Sequence, residues 1–207
     1  MLLRCATFNV LADAYIRNND YSHTSPVLLE AGARTRGVVR LIDDLQADVV
    51  GIQEAETPLV RALSETNQWQ SFWSPKERNM RDGCLTIVKH GIETSDFETH
   101  PYSDRSGYIF QSIRIGKTIF ANTHIKWAHD DEPEHPGVSQ ITELLGQLGL
   151  NQGAVILADC NDRPNGPVKK LIKEAGFANL GGDKETALIK QMPAALDIIA
   201  VRGVFGE

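Results

Sequence analysis

VILADCNDRP, residues 155–164, opens with Val155, Ile156, Leu157 and Ala158 in an unbroken apolar run, then sets Asp159, Asn161 and Asp162 directly behind it. A strand with no polar alternation is buried on both faces of a sheet. In open α/β sheets the ends of such strands are where ligands are usually held. Asp, Asn and Pro are also ordinary turn residues, so the stretch alone is compatible with a plain turn and with a site.

The flanking segments extend the α/β pattern. VSQITELLGQLG (138–149) has helical spacing ending at Gly149 or Gly153, GPVKKLIKEAG (166–176) is a helix stopped by Gly176, and ALDIIAV (195–201) is a last strand. The N-terminal half repeats the alternation. LLRCATFNVL (2–11) is a strand, 34–46 is an amphipathic helix carrying Val38, Val39, Leu41, Ile42 and Leu45, and DVVGIQEAE (48–56) is a second buried strand. TPLVRALSET (57–66) suits a short helix with Thr57 as N-cap and Pro58 at the first helical position. Between the halves the pattern turns to strands: WQSFWS (69–74), CLTIVKH (84–90), YIFQSIRI (108–115) and TIFANTHI (118–125), the last two joined by the hairpin dipeptide Gly116-Lys117. This order predicts two sheets packed face to face with helices outside.

Composition narrows the class. A chain of 207 residues, 42% hydrophobic, with no internal repeat or linker, fits one domain covering residues 1–207. A net charge of −6 argues against a surface built for generic polyanion binding, so a nucleic-acid substrate needs a local basic patch or a metal. Cys5, Cys84 and Cys160 are odd in number and set in apolar runs, which predicts small buried residues in a reducing compartment rather than disulfides or a zinc site. No apolar run reaches the ~18 residues of a membrane span, and the N-terminus lacks a signal-peptide pattern. A cytoplasmic monomer with no membrane partner is the expectation.

Strands that end in polar residues carry the chemistry. Asn9 in TFNVL, Glu54 in GIQEAE, His124 in NTHIKW, Asp159 and Asn161 in LADCND, and Asp197 in LDIIAV are not the choices of packing alone. Burying even a neutral polar group without a partner costs roughly 2–7 kcal/mol, so each needs one. Singly each has a structural explanation: Asn9 could cap a turn, Glu54 could pair with Arg34, His124 could be a satisfied core histidine, and Asp197 could bind a backbone amide. Together, oxygen donors without nearby cysteine suit Mg²⁺ or Mn²⁺, and magnesium sites that keep places for water and phosphate oxygens favour phosphoryl chemistry.

In the order TFNVL (7–11), GIQEAE (51–56), DGCLTIV (82–88), NTHIKW (122–127), LADCNDRP (157–164) with VKKLIKEAGF (168–177), and LDIIAV (196–201), the sequence resembles the endonuclease/exonuclease/phosphatase superfamily. TFNVLADAY (7–15) and SPKERNMRDGCLTIVK (74–89) are similar to its deadenylase and nocturnin branch. The resemblance implies a four-layer α/β/β/α sandwich of two mixed sheets and a divalent-metal-dependent phosphodiesterase or phosphatase. It further implies Asn9 and Glu54 at the metal, Asp159 orienting or deprotonating the attacking water, Asn161 holding the phosphate or the nucleophile, and His124 stabilising charge on the phosphate oxygens.

One departure accompanies it. The family follows the strand matching LDIIAV with a Ser-Asp-His segment whose histidine is oriented by the residue matching Asp197; here AVRGVFGE (200–207) runs to Glu207. The favoured expectation is a longer natural protein. The alternatives are substitution by His129 or His135 from AHDDEPEH (128–135), or a catalytically silent phosphate-binding or scaffold relative. For the substrate, Trp127 and Lys126 could stack on a base and touch a phosphate, as on single strands. Lys76, Arg78 and Arg81 read as a local basic cluster, and the acidic loop 126–137 as a possible gate. Single-stranded nucleic acid or a nucleotide-like phosphate fits these features better than a long duplex.

Overall fold

The two strands read as buried on both faces become inner strands of two different sheets. The computed structural model describes residues 2–16, 21, 24–78, 80–129, 134–149, 152–182, 184–189 and 192–203. In the first sheet, β1 (Cys5–Asn9) pairs in parallel with β2 (Val49–Glu56), which pairs antiparallel with β4 (Asp82–Lys89), itself bordered by β3 (Trp69–Pro75). The second sheet runs β5 (Ser95–Pro101), β6 (Ile109–Ile115), β7 (Thr118–His124), β8 (Gly153–Asp159), β12 (Asp197–Arg202), β9 (Ala178–Asn179), with β7 and β8 parallel and the other pairs antiparallel. A separate hairpin joins β10 (Ala187–Ile189) to β11 (Met192–Ala194).

Parallel neighbours need long crossovers, and helices supply both. Helix α1 (Thr35–Asp44) connects β1 to β2 and α3 (Gly137–Leu148) connects β7 to β8, while α2 (Thr57–Ser64) follows β2 and α4 (Pro167–Glu174) follows β8. The period-2 alternation of strands then sorts side chains into three apolar layers. Val50, Ile52, Leu85 and Ile87 pack outward against Ile42, Leu59 and Leu63 of α1 and α2. Phe110, Ala121, Ile156 and Ile198 pack outward against Ile141, Leu144, Val168 and Ile172 of α3 and α4. Val49, Val88, Ile113, Phe120, Val155 and Leu157 meet between the sheets. The expected four-layer α/β/β/α sandwich is therefore the architecture observed. The sheets approach so closely at Gly51 that a Cβ there would lie 2.7 Å from Leu157 Cβ and 3.2 Å from Asn122 Cγ.

Two details differ from the sequence reading. Strand β5 has no apolar alternation to reveal it, because it is an edge strand whose side chains are almost all exposed. Helix α2 begins at Thr57 itself, with Glu56 in the N-cap position and no side-chain cap, so Pro58 falls at the second helical position rather than the first, still within the first turn. The Glu56 carboxylate is engaged elsewhere, accepting a hydrogen bond from Asp13 N at 2.8 Å. Cys84 and Cys160 are buried and Cys5 is half-buried, all as free thiols.

Candidate active site

Four strand ends deliver polar side chains to the same end of the sandwich. Asn9 closes β1, His124 closes β7 and Asp159 closes β8, with His124 and Asp159 in direct register. Glu54 reaches the group by a different device. Pairing of β2 with β4 is regular to Ile52 opposite Leu85 and resumes at Ala55 opposite Gly83, leaving Gln53 and Glu54 against Cys84 alone. Such a bulge re-aims a side chain. It puts Glu54 at φ 56°, a left-handed conformation that costs a non-glycine residue of order 1–3 kcal/mol and recurs at functional sites. Asn161 at φ 45° shares that strain.

The Asn9 amide is the centre. Its Nδ2 donates to Glu54 Oε1 at 2.8 Å and to Asp159 Oδ2 at 2.7 Å, tying a carboxylate of one sheet to a carboxylate of the other. Asn9 Oδ1 accepts from Leu11 N, and Glu54 Oε2 from Ala12 N, each at 2.8 Å. Asp159 Oδ1 accepts from Asn161 N at 2.9 Å, and Asn161 Nδ2 lies 2.8 Å from both His124 Nε2 and Ile125 O. The His124 ring stands 3.8 Å from Glu54 Oε1 through Nδ1 and 3.8 Å from Asp159 Oδ2 through Nε2. All of the residues expected at the metal and the phosphate thus converge. The pairing of Glu54 with Arg34 does not occur: Arg34 binds Asp13 at 2.7 Å and the carbonyls of Val10 and Leu11, steadying the loop behind Glu54.

Burial sets the electrostatics. It raises the pKa of Glu54, against the lowering pull of the Asn9 and Ala12 hydrogen bonds. It raises Asp159 to about 6, with the neighbouring Asp197 carboxylate adding to the effect. His124 is held well below its ordinary value by burial and then by the Lys76 charge, so its ring is neutral. Asp197 lies opposite Asp159 in the β8–β12 ladder, its own pKa raised by burial against the pull of a hydrogen bond with Thr186, and among the described residues its Oδ1 is buried with no hydrogen-bond partner.

Lys76 corrects the sequence reading. It is no part of a solvated basic face: its side chain is 1% exposed, 2.6 Å from Asp82 Oδ2 and 3.3 Å from His124 Nδ1, with the Tyr108 ring beneath it at 4.3 Å. Asp82 in turn accepts from the Tyr15 hydroxyl at 2.7 Å. The clue available in the sequence was the pair of opposite charges flanking the turn between β3 and β4. Arg78 and Arg81 are exposed, so the three cations do not form one patch. Trp127 is 40% exposed and Lys126 half-buried, both just beyond His124. Asp162 serves the turn as expected, its carboxylate accepting from Val168 N and Lys169 N at the start of α4. The His135 side chain touches the cluster only at a backbone atom among the described residues: its Nε2 lies 3.1 Å from Asn161 O, and its Nδ1 accepts from Gly137 N. The centre of the acidic loop, 130–133, and the final residues 204–207 lie outside the described residues.

The donor set fits a hard divalent cation. Two buried carboxylates share a single amide, both are disfavoured as anions by burial, and a third carboxylate nearby has an unpartnered oxygen. Among the described residues no group of three or more His, Cys, Asp or Glu side chains is arranged to hold a metal ion. Magnesium takes one or two carboxylates and completes its shell with water and phosphate oxygens, so an open site of this kind suits it.

A family model for the endonuclease/exonuclease/phosphatase family matches residues 6–203. No curated protein matches the sequence. Among solved structures, ANGEL2, a 2′,3′-cyclic phosphatase, superposes with a TM-score of 0.80 at 14% identity, over 98% of this chain and 83% of that one. The human Nocturnin catalytic domain with bound sulfate gives 0.73 at 17% identity, over 97% and 82%. Truncated Caenorhabditis elegans TDP2 gives 0.66 at 12% identity, over 91% and 81%. At such identities the likeness to these structures is one of fold. The family match spans nearly the whole chain, and the chain belongs to the endonuclease/exonuclease/phosphatase family, a family of phosphate-ester hydrolases.

Proposed function

We propose that this protein hydrolyses a phosphate ester by attack of water on phosphorus with the help of Mg²⁺ or Mn²⁺, acting on single-stranded RNA or DNA or on a nucleotide-like phosphate. The observation that carries the reading is the Asn9 amide bonded at once to Glu54 and Asp159, with His124 and Asn161 on the same cluster. Glu54 and Asn9 would hold the cation, which supplies Lewis-acid polarisation of a phosphoryl oxygen. Asp159, raised to about 6, is poised to accept a proton from water near neutral pH, where a general base works best. Asn161 orients that carboxylate through its backbone N–H and sets its amide against His124 Nε2. A neutral His124 can meet a phosphate oxygen without adding charge to the site. The unpartnered Oδ1 of Asp197 is an acceptor beside Asp159, suited to orienting a donor.

The surroundings support this substrate class. Trp127 and Lys126, next to His124, offer a ring for a base and a cation for a phosphate, and Arg81 adds an exposed charge. A structure of the same fold, ANGEL2, is described in complex with adenosine-2′,3′-vanadate, which favours a nucleotide-like ligand here too.

The test is hydrolysis of a 3′-labelled single-stranded RNA, adenosine 2′,3′-cyclic phosphate and a chromogenic phosphodiester, each with Mg²⁺, Mn²⁺ or chelator, comparing the protein with Glu54→Gln. Cleavage that needs the metal and falls by about 10²-fold or more in the variant is the expected result. Equal turnover in the variant would overturn the assignment of Glu54. Ligand binding without turnover in either protein would favour a silent binding relative.

A further inference from the structure

The space between the sheets is apolar over most of its area, but directly beneath the candidate site it is crossed by buried amides. Gln53 on β2 and Asn122 on β7 are almost fully buried. Gln53 Nε2 donates to Asn122 Oδ1 at 2.8 Å and to Thr7 Oγ1 at 3.0 Å. Asn122 Nδ2 lies 3.1 Å from Leu85 O, 3.3 Å from Ile52 O and 3.2 Å from Thr86 Oγ1. These carbonyls flank the β2 bulge, where the ladder between β2 and β4 is interrupted. A side-chain amide from the opposite sheet thus contacts the carbonyls of Ile52 and Leu85, the last regular pair before the bulge.

The location ties this contact to the site. Gln53 immediately precedes Glu54, and Asn122 lies two residues before His124 on the same face of β7. We propose that Asn122 is a positioning residue: by gripping the β2 bulge from the other sheet it holds Glu54, in its left-handed conformation, at the spacing from Asp159 and His124 that cation binding requires. A merely cohesive core would place an apolar side chain here, as it does at Leu157 and Phe120 one strand or one turn of the pleat away. Buried amides cost stability unless fully satisfied, and they fix one geometry when they are. The inference rests on the reading of Glu54 and Asn9 as the cation site.

The experiment compares the full chain with Asn122→Leu, a change of similar shape that removes the amide, and with Ile113→Ala as a stability control in the apolar layer. Mn²⁺ affinity is read by calorimetry without substrate, and backbone hydrogen exchange is read over residues 52–56. Asn122→Leu is expected to weaken Mn²⁺ binding by about 10- to 100-fold, the range typical of groups that orient metal ligands, and to speed exchange at the bulge. Ile113→Ala is expected to lose stability while keeping the wild-type Mn²⁺ affinity. If Asn122→Leu does not fold, Thr86→Val, which removes one hydroxyl partner of the same amide, should shift both readouts in the same direction by a smaller factor. Unchanged affinity and exchange in the folded variant would overturn the proposal, as would an equal loss of affinity in Ile113→Ala. A wild-type protein that binds no Mn²⁺ would overturn the cation reading instead, and with unchanged exchange at the bulge in the variant it would remove the clamp as well.

Discussion

Asp82→Asn is the most informative single change, because it removes one charge from a pair that is almost wholly shut away from water. Lys76 and Asp82 have side chains 1% and 0% exposed, and among the described residues the 2.6 Å contact to the ammonium is the only partner of Asp82 Oδ2. An asparagine at this position can still accept from the Tyr15 hydroxyl, so the packing stays and the charge goes. The Lys76 ammonium would then be buried facing the neutral His124 ring at 3.3 Å. Removing one partner of a buried ion pair costs about 3–5 kcal/mol, most of it the penalty of the charge left behind. In a domain stabilised by roughly 5–15 kcal/mol that is a large fraction. The loss should appear as a lower urea midpoint with an unchanged slope, measured with chelator present so that metal binding does not contribute. Lys76→Met should cost a similar amount for the opposite reason, and the double variant should cost less than the two losses added together, because no lone charge remains. A loss under about 1 kcal/mol in Asp82→Asn, or strict additivity in the double variant, would refute the buried pair.

Three further outcomes follow from particular contacts. Gly51→Ala forces a methyl group against Leu157 and Asn122 between the sheets and should cost about 1–3 kcal/mol in the same urea assay; a neutral effect would mean the sheets separate freely at that point. Asp162→Ala removes the acceptor at the start of α4 and should cost about 0.5–2 kcal/mol while leaving hydrolysis unchanged, and a collapse of turnover would move Asp162 from the turn into the chemistry. In the chelated protein Asp159, with a folded pKa of about 6 above its ordinary 3.8, holds its proton more tightly folded than unfolded. Its ionised form therefore costs stability above about pH 6, and the cost disappears below about pH 4. The stability of Asp159→Asn relative to the wild type should accordingly rise between about pH 4 and pH 6, on top of a pH-independent cost for the acceptor lost to Asn9 or Asn161, and a difference independent of pH would contradict the shift.

What the sequence disclosed and what it hid divide along a physical line. Strand interiors such as Val155 to Ala158 and Val49 to Ile52 announce themselves because burial on two faces demands apolar residues at every position. Polar residues at their ends, Asn9, Glu54, His124 and Asp159, stand out against that background, so the site could be assembled from strand ends before any geometry was known. Where the same solvent boundary is crossed by opposite charges, the signal inverts. Lys76 and Asp82 look like surface residues because each is charged, yet each hides the other, and only the approach of β3 to β4 brings them together. Gln53, Asn122 and Gln111 pass unnoticed for a related reason: a single amide in an apolar strand reads as a tolerated exception until its partners on the facing sheet are visible. Strand β5 is silent because an exposed edge imposes no alternation at all. The bulge leaves no trace in composition either, although it turns Glu54 into the cluster. The residues expected to do chemistry are thus legible singly, whereas those that set their spacing act in pairs across the two sheets, and a pair separated by 69 positions, as Gln53 and Asn122 are, has no signature in either strand alone.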